Sequence, residues 1–123
     1  MRVFTDAEIA FLTSERLLAR IATVGSDGMP HVTPVGWGLG SDQSTIEIGG
    51  HDLTATKKFR DVERDGRAAV VIDDVLPPWQ PRGVEVRGKA EAIRGERPVI
   101  RIYPERVVGW GLDEGGRNAR DVG

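Results

Sequence analysis

The chain has 123 residues, a net charge of −2, 39% hydrophobic residues and 29% charged ones, values typical of one globular domain. It contains no cysteine, which excludes disulfides, thiolate nucleophiles and zinc–cysteine sites. The nearly balanced charge argues against nucleic acid as a partner. No apolar run approaches the ~20 residues needed to span a membrane, and the first residues lack the apolar core of a signal peptide. We therefore expect a cytoplasmic protein that binds neither nucleic acid nor membranes.

The first residues carry a helix-start signal. Thr5 is a capping residue, and Glu8 three positions later can close a capping box. Phe4 and Ile9 stand where a hydrophobic staple would place them. These features predict a helix that ends near residue 14.

The rest of the chain is rich in strand signals. Alternating or β-branched runs predict six strands, at 17–24, 31–37, 44–49, 68–72, 83–92 and 99–110, the last interrupted by Pro104. Pro34 cannot donate a ladder hydrogen bond, so the second strand should be an edge strand or have a bulge there. A change to helical periodicity predicts a second helix over 52–63. This order favours an antiparallel barrel in residues 1–110, followed by a mobile, polar, glycine-rich tail in 111–123.

Side chains for catalysis are scarce. The two histidines and the absence of cysteine make a nucleophilic triad or a histidine-rich metal site hard to build, and we predict no metal site. His51–Asp52 could be a ligand pair and Asp73–Asp74 paired acids, but solvated loop residues are the commoner interpretation of each. A chain of this kind usually takes its reactivity from a coenzyme.

A basic cluster (Lys57, Lys58, Arg60 and Arg64) follows Gly49–Gly50 and is the best candidate site. Its residues fall within two helical turns, where arginine can hold a phosphate in fork geometry and lysine adds a point charge. The alternative is a solvated helix face in which Lys57 pairs with Asp61.

Two other segments are candidates for contact with a ligand. Thr33, Pro34 and Val35 of the second strand could form a wall for a flat ring. Trp79 stands in a stiff proline-rich loop and could belong to the core, to a dimer interface or to the cover of a pocket.

Taken together, these segments resemble the pyridoxamine 5′-phosphate oxidase-like split-barrel family. The matching residues are 20–24, 27–35, 57–62, 68–72 and 84–90, and a closer likeness to the branch that uses the deazaflavin coenzyme F-420 is carried by 45–50, 58–62, 81–88 and 106–112. The resemblance implies a mainly β (α+β) fold, a six-stranded antiparallel split barrel of the FMN-binding type with two short helices. It also implies a homodimer with coenzyme sites at the interface.

In this family the segment after the third strand holds the coenzyme phosphate. Transferred to this chain, that role falls to Lys58 and Arg60, with Lys57 and Gly49 adjacent. The ring system would lie along Thr33, Pro34 and Val35, and Trp79 completes the predicted cofactor-binding set.

The resulting expectation is an F-420-dependent oxidoreductase that transfers a hydride to a small conjugated or quinone-like acceptor. The alternatives are an FMN-binding reductase or oxidase of the same fold, and a non-catalytic coenzyme-binding protein. The breadth of the basic cluster favours the deazaflavin, which carries a phosphodiester and an acidic tail.

Overall fold

A computed structural model describes residues 2–123, so residue 1 of the predicted domain lies outside the described chain. The helices are α1 (Asp6–Ser14) and α2 (Lys57–Arg64), with a 3-10 turn at Leu53–Ala55. The strands are β1 (Ala19–Val24), β2 (Pro30–Val35), β3 (Trp37–Leu39), β4 (Ile46–Ile48), β5 (Arg67–Leu76), β6 (Gln80–Ile93), β7 (Val99–Trp110) and β8 (Asn118–Asp121).

All strands belong to one antiparallel sheet with the order β2-β1-β5-β6-β7-β4-β3, to which β8 adds beside β7. The sheet curls around a core built from alternate residues of each strand. Its fully buried members include Ile21, Val70, Val86 and Ile102. The prediction of a mainly β split barrel with two short helices is confirmed.

The strand count differs from the predicted six in two places. Residues 31–39 form two strands, because the chain turns at Gly36 between β2 and β3. The segment predicted as a mobile tail contains β8, which pairs with β7 from Arg106↔Asp121 to Gly109↔Asn118. The glycines that suggested a loose end provide the turn that leads into β8, where Gly111 and Gly116 both have positive φ.

The predicted capping box of α1 is present. The Thr5 side chain accepts from the Glu8 N–H, and Glu8 accepts from the Thr5 N–H at 2.9 Å. Glu8 is almost fully buried and also accepts two hydrogen bonds from the Arg120 guanidinium, at 2.6 and 2.9 Å. A buried carboxylate requires such a partner, so the ion pair fixes β8 to the start of the chain.

One of the two expectations about the prolines is confirmed. The sequence predicted an edge strand or a bulge at Pro34, and β2 is an edge strand whose register with β1 is continuous. Pro104 does not interrupt β7. It pairs with Gly88 next to the one register shift between β6 and β7. Glu105 is the extra, unpaired residue of that β-bulge.

The helix predicted over 52–63 is the 3-10 turn followed by α2. Thr56 separates the two, because its extended backbone caps α2 and its side chain accepts from the Phe59 N–H at 3.3 Å. Among the helices of residues 2–123, none is long and apolar enough to cross a membrane.

Candidate functional site

Helix α2 presents the basic cluster because its opposite face is anchored in the core. Phe59 and Val62 are buried, and the Arg94 guanidinium lies 5.1 Å from the centre of the Phe59 ring. Lys57, Arg60 and Arg64 are exposed and Lys58 is half-buried. The sequence therefore placed the cluster correctly on the outer face of a helix.

A buried carboxylate divides the cluster in two. Asp61 is 1% exposed, and its Oδ2 accepts from the Thr23 hydroxyl at 2.9 Å. Its Oδ1 lies 3.1 Å from Nη2 of Arg64 and 3.5 Å from Nζ of Lys57. The alternative pairing of Lys57 with Asp61 is thus present, and Arg64 joins it.

The partners of Asp61 control its protonation. Burial raises the pKa of the Asp61 carboxyl, but hydrogen bonds from Thr23 and Arg64 and the charge of Lys57 outweigh burial, so the pKa lies below its usual value of 3.8. Asp61 is therefore ionised at neutral pH and holds two of the four cations.

Lys58 and Arg60 are not held by a carboxylate in this way. No carboxylate of residues 2–123 lies within ion-pair distance of either side chain. One guanidinium nitrogen of Arg60 donates to the Ala55 carbonyl at 2.8 Å, which fixes the side chain while leaving further donors for a ligand. These two cations are the ones best able to hold an anion.

Contacts with the β1–β2 hairpin bring α2 close to the first residues of β2. Nη2 of Arg64 donates to the Val24 carbonyl at 2.7 Å. The charges of His31 and Lys57 both help to lower the pKa of Asp27 in the hairpin turn, although the hydrogen bond from the Met29 N–H is the larger cause. The basic cluster therefore lies beside the end of β2 at which that strand begins.

Strand β2 has a free edge with an unusual set of polar groups. Gly25 and Met29 form a hydrogen-bonded pair, since the Gly25 N–H donates to the Met29 carbonyl at 2.9 Å. Backbone groups alternate in an antiparallel ladder, so those of Pro30, Val32 and Pro34 point away from β1. The two prolines have no N–H, so this edge presents three carbonyls and the single N–H of Val32. An edge of this kind can bind a ligand while it resists pairing with another strand.

The residues predicted to flank a ring are separated by the alternation of β2. Pro34 is exposed on the outer face, whereas Thr33 is half-buried on the inner face. Val35 is 6% exposed, and its side chain belongs to the core. Of these three residues, Pro34 is the one whose side chain is exposed at the surface, next to the free backbone edge of β2.

Gly49 ends β4 and leads into the 3-10 turn that precedes α2. A Cβ added at Gly49 would meet no atom of the described residues within 4 Å. Open space therefore remains next to this part of the chain.

The outer face of the sheet carries an apolar groove of about 320 Å³ beside this region. Its floor consists mainly of small side chains on β1 and β5, including Ala22, Val24 and Ala69, and Pro30 forms one wall. Outward apolar residues on a half-exposed sheet are unusual unless another surface covers them. The sequence pattern assigned Ala22 and Ala69 to predicted strands and did not indicate a groove.

Trp79 lies far from the basic cluster. Strand β5 begins just after α2 and runs for 10 residues before it reaches the Trp79 loop, a distance of about 33 Å. The Trp79 side chain is 76% exposed, so it does not belong to the core of this chain. Within one protomer the structure therefore does not bring Trp79 to the other predicted site residues.

The acidic pairs are explained by surface contacts. Asp74 forms two hydrogen bonds with Arg82 at 2.7 and 3.0 Å, and Asp73 lies 3.5 Å from Arg20. His51 and Asp52 are both exposed. No group of three or more potential metal ligands occurs in residues 2–123.

Comparison with known proteins places the chain in a family. The family model described as pyridoxamine 5′-phosphate oxidase matches residues 5–122. The chain is 39% identical, over an alignment 133 positions long, to a 5a,11a-dehydrotetracycline/5a,11a-dehydrooxytetracycline reductase of Streptomyces rimosus; the alignment covers 97% of this chain and 93% of that protein.

Solved structures share the fold at low identity. A haem-binding protein from Mycobacterium smegmatis has a TM-score of 0.73 at 18% identity; 96% of this chain is covered, and it spans 58% of that protein. A protein described as an F420 reductase has a TM-score of 0.61 at 18% identity, with 80% of this chain and 94% of the other covered.

The chain belongs to the pyridoxamine 5′-phosphate oxidase family. The family resemblance predicted from the sequence is confirmed, and so is the prediction of an oxidoreductase as the class of enzyme.

Proposed function

We propose that this family member is an F-420-dependent reductase that works as a homodimer and reduces a small conjugated acceptor. The observation that carries the proposal is that Lys58 and Arg60 on α2, which form no ion pair within residues 2–123, lie close to the free edge of β2. One element can bind the anionic part of a long coenzyme and the other its flat ring.

Lys58 and Arg60 would hold the phosphate. Arg60 is already oriented by the Ala55 carbonyl, so less conformational entropy is lost when it binds an anion. Lys57 is half exposed and its 3.5 Å contact with Asp61 is long, so it can contribute from the side. The open space at Gly49 lies beside the same turn.

The edge of β2 would hold the ring system. Its Val32 N–H and the carbonyls of Pro30 and Pro34 are the polar groups in reach, and the exposed Pro34 ring offers an apolar surface. From Pro30 to Pro34 the strand extends about 13 Å, which suits a coenzyme whose phosphate and ring lie at opposite ends. Thr33 and Val35 would support this edge from the inner side.

When bound, the reduced deazaflavin would supply a hydride to the electron-poor carbon of a conjugated double bond, and the neighbouring atom would take a proton from solvent. The chain itself would align the coenzyme with the acceptor, and such alignment can lower the activation barrier by about 7–11 kcal/mol. The relative from Streptomyces rimosus is named for a dehydro compound, which supports an acceptor with an activated double bond.

FMN is the second candidate, and the Asp61 cluster is the observation that favours it. With Lys57 and Arg64 turned towards Asp61, the remaining clamp of Lys58 and Arg60 is compact enough for a single phosphate. The deazaflavin remains the leading proposal because four cations and one carboxylate leave a local charge of about +3, which suits a phosphodiester with an acidic tail.

The test is a fluorescence titration of the coenzyme-free protein with F-420 and, separately, with FMN. We expect selective F-420 binding that weakens about tenfold or more in Lys58→Ala and in Arg60→Ala, because each loses a charge-assisted contact. Arg117→Ala is the control, since Arg117 is an exposed cation just before β8, a strand that pairs with residues 106–109 of β7. Selective FMN binding would replace the leading proposal by the second, and unchanged affinity in both site variants would reject this placement of the phosphate.

A further inference from the structure

Asp61 is a buried charge that the proposed reaction does not use. Its side chain is 1% exposed, although it belongs to the helix that carries the basic cluster. The other acid of α2 is Glu63, which pairs with Arg94 at 3.0 Å rather than with a cation of the cluster. Asp61 is thus the acid of this helix that contacts the candidate coenzyme site.

The two carboxylate oxygens of Asp61 make different contacts. Oδ2 accepts from the Thr23 hydroxyl at 2.9 Å, which joins α2 to β1. Oδ1 lies beside two cations, 3.1 Å from Nη2 of Arg64 and 3.5 Å from Nζ of Lys57. A neutral asparagine could keep the contact with Thr23, because its amide oxygen is also an acceptor. What an asparagine cannot keep is the charge that holds the two cations.

The two held cations lie on either side of Arg60. Lys57 is three residues before Arg60 and Arg64 is four residues after it, so each is a neighbour one turn away on the same face of α2. The row of three cations extends along about 10 Å of helix. A single phosphate on Lys58 and Arg60 leaves both ends of this row unused, whereas a longer polyanion can reach them.

The two ends of the row would respond differently to the loss of the Asp61 charge. Nη2 of Arg64 also donates to the Val24 carbonyl at 2.7 Å, so Arg64 stays beside the β1–β2 hairpin without Asp61. Lys57 is 51% exposed and has the longer contact with Asp61, so its flexible side chain can turn to an anion. Both cations can therefore bind a ligand once the carboxylate is neutralised.

We infer that Asp61 is a specificity-determining residue of the coenzyme site, which by holding Lys57 and Arg64 makes the site bind one phosphate strongly and further anionic groups weakly. The inference rests on the proposed function, in which Lys58 and Arg60 hold the phosphate. Asp61 acts through the two cations and does not itself touch the coenzyme. Its effect falls on polyanionic ligands, so the acidic tail of F-420 contributes less to the affinity than its phosphodiester.

Neutralisation of Asp61 should raise the affinity for a polyanion. We expect Asp61→Asn to bind F-420 about fivefold more tightly than the wild type, because it releases two exposed ion pairs, each of which corresponds to a factor of about 1.4 to 5. The affinities for FMN and for F-420 with its acidic tail removed should change by no more than about twofold. A merely structural role predicts the opposite sign, since a disturbed site would bind every ligand less tightly.

Two control variants separate the charge of Asp61 from its place in the fold. Glu63→Gln removes the same charge from α2 but leaves Lys57 and Arg64 held, so it should not change the selectivity between F-420 and FMN. Thr23→Val removes the hydrogen bond to Asp61 and keeps its charge, so it should destabilise the fold without a gain in affinity. Binding is measured by fluorescence titration at a temperature at which each variant is folded. No gain in Asp61→Asn, or an equal gain in Glu63→Gln, would overturn the inference.

A change at Lys57 tests the inference with Asp61 in place, whether or not Asp61→Asn folds. Lys57→Gln should weaken F-420 binding by no more than about twofold, because Asp61 already holds this lysine. Arg60→Ala should weaken it by about tenfold. A loss of tenfold in Lys57→Gln as well would show that Asp61 does not hold Lys57 back, and would reject the inference.

Inorganic probes distinguish a failure of this inference from a failure of the proposed function. Orthophosphate and tripolyphosphate test the anion site without a coenzyme, by isothermal titration calorimetry. If the protein binds neither F-420 nor FMN, but Asp61→Asn binds tripolyphosphate about fivefold more tightly and orthophosphate as the wild type does, the role of Asp61 stands and the coenzyme proposal fails. Selective F-420 binding by the wild type without a gain in Asp61→Asn would support the coenzyme and reject the role of Asp61.

Discussion

Replacement of Asp61 by asparagine is expected to destabilise the fold by about 2 kcal/mol. The amide can still accept from Thr23, so the loss comes from the contacts with Arg64 and Lys57. A hydrogen bond that involves a charged group contributes about 1.5–3 kcal/mol. Because the two cations are 43% and 51% exposed, solvent screening keeps their combined contribution near the lower end of that range.

The assay is thermal and urea unfolding of the wild type and Asp61→Asn, with Glu63→Gln as the control. Both variants remove one negative charge from α2, but Glu63 is a surface residue whose partner Arg94 is also exposed. We expect Asp61→Asn to lower the melting temperature by about 8 °C and Glu63→Gln by no more than about 2 °C.

The pH dependence gives a second readout of the same contact. The folded carboxyl of Asp61 has a lower pKa than the unfolded one, whose usual value is 3.8. Its contribution to stability is therefore complete above that value and is lost as the pH falls through the folded pKa. The stability difference between wild type and Asp61→Asn should shrink in this acidic range. Equal destabilisation by the two variants, or a difference that does not change with pH, would refute the description of Asp61 as an ionised, buried anchor.

Three further variants test the structure around the site. Glu8→Gln should destabilise the fold by about 2 kcal/mol in urea unfolding, because it leaves Arg120 without its carboxylate partner; a change below 0.5 kcal/mol would contradict a buried ion pair. Gly83→Ala should cost about 1–3 kcal/mol in the same assay, since its Cβ would lie 2.6 Å from Cζ2 of Trp110, and an unchanged midpoint would contradict the close packing of Gly83 against Trp110. Thr56→Ala should cost about 1 kcal/mol by thermal unfolding through the lost cap of α2, whereas Thr56→Ser should keep most of that stability.

Local signals predicted the elements of this fold well. The capping box at Thr5 and Glu8 is formed as its spacing indicates, and local patterns located β1, β2, β4, β5, β6 and β7, whereas β3 was merged with β2. Strand β8 was missed because it is short and polar, and because it depends on the ion pair between Arg120 and Glu8, 112 residues away. A contact between distant residues leaves no periodic trace in a single sequence.

The helical position of the basic cluster was predicted from the sequence, whereas the ion pairs within the cluster were predicted only in part. Spacing put all four cations on one helix, and the possible pairing of Lys57 with Asp61 was visible as an i,i+4 relation. The burial of Asp61 was not visible, because it depends on Thr23 of β1. The contact with Thr23 holds Asp61 in the position from which it pairs with Lys57 and Arg64, so Lys58 and Arg60 are the cations left for a ligand.

Trp79 shows why a candidate residue cannot be judged within one chain. Its distance of about 33 Å along β5 from α2 would exclude it from the site of its own protomer. Its side chain is nevertheless 76% exposed at the end of the β5–β6 hairpin. Such a residue can belong to a coenzyme site only if a second protomer supplies it, as the proposed homodimer would allow, and the pairing of two chains leaves no periodic trace in one sequence.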